Sequence, residues 1–221
     1  MTGWGIVFSF LLLVGVVGAA AGVVPRRHLP EAAPGVIANE RISALTGGLL
    51  LILSAAIGVT ILRIGDLLPE HYLVGFLMVG PMALKLTSTG YRFARYYTHN
   101  PAYRTAGPPV AVLRWSAPFL VAATVALFAT GIELWLFSYR FGTWWFQAHV
   151  VSFLVWTAAL VIHVLGHARR SAEAAMDEIG VWSARAFTRR GLVVGSVVLG
   201  AVLAVVSLLY ASPFPLPSGM G

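Results

Sequence analysis

Residues 144–167 read WWFQAHVVSFLVWTAALVIHVLGH, an apolar run interrupted only by histidines and a few small polar side chains. As a helix rising 1.5 Å per residue, such a run crosses a hydrocarbon core of about 30 Å. Inside lipid every backbone N–H and C=O must be paired within the segment, which makes it a helix. Five further runs are long enough to do the same, at roughly 4–24, 42–63, 71–91, 115–137 and 191–211. The ten-residue alternating segments of a membrane β-barrel do not occur. The sequence therefore predicts an all-α fold: one transmembrane domain over residues 1–221, a bundle of about six transmembrane helices.

Composition agrees with the run. Hydrophobic residues make up 58% of the 221, charged residues 10%, and the mean hydropathy is +0.83. A soluble domain carries about 25% charged residues. These values exclude a soluble globular enzyme, a disordered tail and a nucleic-acid module. The absence of cysteine removes disulfides, thiolate metal sites and a cysteine nucleophile. The first run lacks a basic leading region and is long for a signal peptide, so it is read as a retained span.

Twelve of the fifteen basic residues fall in alternate connections and their helix ends: Arg26, Arg27, Arg41, Arg92, Arg95, Arg104, Arg114, Arg169, Arg170, Arg185, Arg189 and Arg190. Arg63 and Arg140 lie on the other side, and Lys85 lies inside the third span. Basic loops stay cytoplasmic, so both termini are expected outside, in a multi-pass protein of the cytoplasmic (inner) membrane. The lipid bilayer is then the first partner, with anionic lipid of the inner leaflet the simplest partner of the net charge of +7. The first connection, with Pro25, Pro30 and Pro34, is expected to be irregular. Ser171 is expected to cap a separate interfacial helix in the last connection.

Ionisable groups inside a membrane are costly and mark candidate sites: His71, Lys85, Glu133, His149, His163 and His167. The third and fifth spans are separated by one span and so run parallel. His71 opens the third and His149 lies one turn into the fifth, both toward the outer face. His149 and His163 are fourteen residues apart, and so are His71 and Lys85. Fourteen steps of about 100° return to within roughly 40° of one face, about 21 Å further along. His167 is nearly eclipsed with His149. Imidazoles at two depths of one face can hold two stacked haems, since imidazole is a good axial ligand for haem iron. Where such a bundle would place a fourth histidine this chain has Lys85, whose amine can ligate, snorkel to the interface or pair with a propionate. Arg63 and Arg140, the outer arginines, are candidates for propionates of an outer haem or for surface anchoring. Glu133 either pairs with one of them or carries protons.

His71-Tyr-Leu-Val-Gly, the stretch from Pro81 to Tyr97, His149-Val-Val-Ser-Phe-Leu-Val-Trp and His163-Val-Leu-Gly-His together resemble the bacterial cytochrome b-like integral membrane proteins, over about residues 40–168. The resemblance implies haem b between transmembrane helices, one or two per chain, and electron transfer between the quinone pool and a partner redox protein, as a subunit of an oxidoreductase complex. It implies haem-iron ligation by His71 and His149 at the outer level and by His163, or His167, at the inner. Two other functions stay open on the residues alone: a haem-free structural subunit of a membrane complex, and a small transporter or proton channel using His71, Glu133 and His149.

Overall fold

The computed structural model describes residues 32–105, 111–210 and 212–214. Its described elements are all helical: α1 (Pro34–Leu62), α2 (Leu68–Tyr97), the short α3 (Pro101–Thr105), α4 (Ala111–Phe137), α5 (Trp144–Gly180) and α6 (Ala184–Leu208). Five of them, all but α3, are long and apolar enough to cross a membrane. The chain is thus a multi-pass helical membrane protein. The run at 4–24 lies outside the described residues, as do Arg26, Arg27 and His28.

The helices outrun the apolar segments that announce them. The expected second span at 42–63 begins in the structure at Pro34, because proline, lacking an N–H, is well suited to a first helical turn. Pro34 is therefore helix and not connector. The fifth span does not stop at 167 either. α5 continues for 37 residues, about 55 Å, well beyond a 30 Å core. Ser171 accordingly does not cap a separate helix. The segment after His167 is rich in good helix formers and free of proline, so nothing ends the helix before Gly180. The capping serine is Ser183, whose side chain accepts from the Ala186 N–H at 3.2 Å and starts α6.

α1 is the spine. It packs against α2, α5 and α6, while α4 packs on α5 and α6 on α2. The α2–α6 crossing is the closest. A Cβ at Gly80 would sit 2.0 Å from the Ser196 carbonyl, and one at Gly200 would sit 2.1 Å from that of Leu77. Both positions admit only glycine, the small-residue contact by which membrane helices gain van der Waals packing without a hydrophobic driving force. Gly191 and Gly195 meet nothing within 4 Å.

α2 and α5 run parallel and each packs along α1, but they are not themselves a closely packed pair. α1 runs the opposite way. Thr60 near its end therefore meets His71 near the start of α2, and Ser43 near its start meets Lys85 deeper in α2.

Candidate functional site

The ionisable side chains of α2 and α5 form two levels. At the first, His71 lies within electrostatic range of His149. Both rings are mostly buried. Each is held by a threonine from the helix behind it. Thr60 Oγ1 of α1 lies 2.9 Å from His71 Nδ1, and Thr130 Oγ1 of α4 lies 3.1 Å from His149 Nδ1.

The direction of these bonds follows from what else the hydroxyls do. Thr60 donates to the Ile57 carbonyl at 2.7 Å, and Thr130 to that of Ala126 at 2.7 Å. A hydroxyl has one proton, so toward the histidine each oxygen accepts. The ring N–H is then on Nδ1, and the Leu127 backbone is a further hydrogen-bonding neighbour of the His149 ring. That tautomer puts a lone pair on the Nε2 of each ring. Gly131, next to Thr130, makes room: a Cβ there would lie 3.0 Å from His149 Cε1.

The second level is built differently. His163 and His167 lie on successive turns of α5 with their rings tilted against each other, centroids 4.7 Å apart. Both lie within charge range of Lys85. Lys85 is committed to α1, donating to the Ser43 carbonyl at 2.7 Å and to its hydroxyl at 2.6 Å, and it lies against Gly47. His163 Nδ1 is buried without a partner. No threonine among the described residues orients either ring.

Beyond this level come ion pairs. Glu178 is wholly buried and accepts from Arg189 at 2.8 and 2.6 Å, with Arg41 at 3.4 Å. Glu40 and Arg170 form a two-pronged pair joining α1 to α5. Burial holds the Tyr103 phenol above its ordinary value, so it stands near Arg92 as a neutral neighbour.

The remaining candidates are scattered. Arg63 is paired with Asp66 at 2.6 Å, both largely exposed. Arg140 is exposed with its guanidinium 5.7 Å from the Phe141 ring. Among the described residues no hydrogen bond or ion pair joins either arginine to the histidine pair. Glu133 pairs with neither of them, and both its oxygens are buried without a partner. Near His71, Tyr72 lines a cavity of about 280 Å³ with Trp135, Tyr210, Ser212 and Phe214. The Tyr72 hydroxyl stands beside Ser212 without a well-aligned hydrogen bond.

Sequence reasoning missed Thr60, Thr130 and Gly131 around the rings, and Ser43, Glu40 and Glu178 at the other end. A hydroxyl in an apolar helix usually bonds its own backbone. Only the adjacent Thr130-Gly131 pair opposite a histidine-bearing helix would have hinted otherwise.

No cluster of three or more His, Asp or Glu able to hold a bare metal ion occurs among the described residues. No protein-family model matches the chain, and neither a curated protein nor a solved structure is similar to it.

Proposed function

We propose that this chain is a haem b membrane cytochrome subunit that passes electrons between the quinone pool and a partner redox protein. One observation carries the reading: two mostly buried imidazoles, on parallel helices at one depth, each with Nδ1 held by a threonine and a lone pair on Nε2. Metal-ligating histidines characteristically donate their other ring N–H to an oriented acceptor, which fixes the tautomer and raises ligand basicity. Haem iron already has four porphyrin nitrogens, so the protein need supply only axial ligands. The donor set at this level fits that need.

When bound, the haem would supply one-electron chemistry. His71 and His149 would hold its iron, Thr60 and Thr130 would hold both rings, and the apolar bundle would surround them. The second level lacks this arrangement, so the proposal is one haem per chain. Lys85, His163 and His167 serve another purpose there. Arg63, engaged by Asp66, and Arg140, exposed, serve as anchors at the membrane surface. The cavity beside Tyr72, walled by aromatic rings, is the place where a quinol ring would approach, with the Tyr72 hydroxyl as its hydrogen-bond partner. The arginine-rich end faces the cytoplasm.

The test is optical. Protein purified from haem-replete cells should show the reduced spectrum of a low-spin haem b, and a short-chain quinol should reduce it. Tyr72→Phe should slow that reduction while leaving the spectrum unchanged. Purified protein without a Soret band would reject the proposal.

A further inference from the structure

The second level of the α2–α5 pair gathers cations and leaves them short of counter-charge. Lys85 and Arg92 are seven residues apart on α2, and so are His163 and Arg170 on α5, with His167 between. Seven steps of about 100° bring a side chain back to within about 20° of its face. One face of α2 thus carries lysine and arginine, and one face of α5 carries two histidines and arginine.

α1 draws the two faces together. Ser43 accepts from Lys85, and Glu40, one turn earlier, takes Arg170. Lys85 lies within charge range of His163, and His167 is within range of Lys85, Arg92 and Arg170. Glu40 is the one carboxylate in this cluster among the described residues, and both its oxygens are engaged by Arg170. Arg92, partly buried like Arg170, lies within charge range of Arg170 and of Glu40. Its guanidinium makes no hydrogen bond among the described residues. Lys85 has spent two of its three N–H bonds.

Partly buried cations in a membrane protein are costly unless an anion meets them. A guanidinium fork matches two oxygens of a tetrahedral oxyanion, and a lysine ammonium adds a point charge. Basic pockets between transmembrane helices suit phospholipid headgroups. Exposed Ile162 and Phe93, next in sequence to His163 and Arg92, offer apolar surface for acyl chains.

We propose that this level is a binding site for the phosphate of an anionic phospholipid, held between α2 and α5 by Arg92, Lys85 and His167. The lipid would fill the gap between two helices that do not pack closely on each other. It would occupy the level at which a second haem would otherwise sit. The site does not depend on the haem reading, and its readouts do not involve haem.

The test is thermal unfolding of the delipidated full chain in detergent, titrated with phosphatidylglycerol, with phosphatidylcholine, or with inorganic phosphate. Phosphatidylglycerol should raise Tm saturably, and phosphatidylcholine should not. Arg92→Gln should weaken the apparent affinity about tenfold or more, the loss expected for a charge-assisted hydrogen bond. Arg92→Lys should fall between, and Arg185→Gln, an exposed arginine elsewhere, should leave it unchanged. Native mass spectrometry should find phospholipid retained by the wild type and lost from Arg92→Gln. An equal response to inorganic phosphate, abolished by Arg92→Gln, would overturn the lipid as the source of the anion. Equal shifts with both lipids, or an Arg92→Gln response matching the wild type, would overturn the site. If Arg92→Gln does not fold, the Arg92→Lys comparison and lipid retention by the wild type decide.

Discussion

At one end of the α2–α5 pair, His71 and His149 each lean on a threonine and keep a lone pair on Nε2. Fourteen residues further along both helices, Lys85 and His163 hold the corresponding positions. There the lysine is tied to Ser43, and the histidine ring lies tilted against that of His167. Spacing alone makes the two levels look equivalent. What separates them is the helix behind each side chain: a hydroxyl that accepts from Nδ1 at one level, and a serine and a glutamate that gather cations at the other. A repeat in sequence places side chains at equal depths, but the neighbouring helices decide their chemistry.

The largest effect expected comes from removing a ligand. His71→Ala or His149→Ala should abolish the low-spin haem spectrum, whereas His163→Ala, His167→Ala and Lys85→Ala should keep it. Haem lost equally from variants at both levels would erase the distinction between them.

Stability should follow the opposite pattern. Glu178→Ala strands Arg189 and Arg41 with no carboxylate in a buried setting. Breaking such a pair from one side costs about 3–5 kcal/mol. Denaturant or thermal unfolding should show that loss, while haem content per folded chain stays near the wild type. If Glu178→Ala instead lowers haem content in folded protein, the two ends are not independent.

Much of this contrast was hidden in the sequence, for identifiable reasons. The five described spans and the parallel run of α2 and α5 were legible, because apolar length and the alternation of spans dictate them. The helix ends were not: Pro34 looked like a loop residue, and the charged stretch after His167 looked like an interface, although neither stops a helix. The histidine pair was legible through its matched depth. Its supports were not, because Thr60 and Thr130 come from helices whose neighbours no spacing rule names. Gly80, buried against the backbone of α6, was equally silent, since a glycine in an apolar run shows nothing of what lies 2.0 Å from its missing Cβ.

A smaller effect should come from the threonines. Thr60→Val or Thr130→Val removes the acceptor for Nδ1–H and lowers ligand basicity, which favours the reduced iron. One hydrogen bond is worth about 1 kcal/mol, or roughly 40 mV for one electron. Redox titration should show an upward shift of that order with haem content retained, and serine in place of either threonine should restore the wild-type potential. The smallest effect belongs to Arg63→Ala, which removes an exposed pair worth at most about 1 kcal/mol and should change neither haem content nor potential.

The most direct measurement of the central claim is the ligand field and stoichiometry of the iron in the wild-type protein. Electron paramagnetic resonance of the oxidised sample, beside a haem and protein assay, should give one low-spin ferric haem per chain with the signature of two imidazole ligands. A high-spin signal, a histidine–amine ligand field pointing to Lys85, or no haem at all would contradict the account.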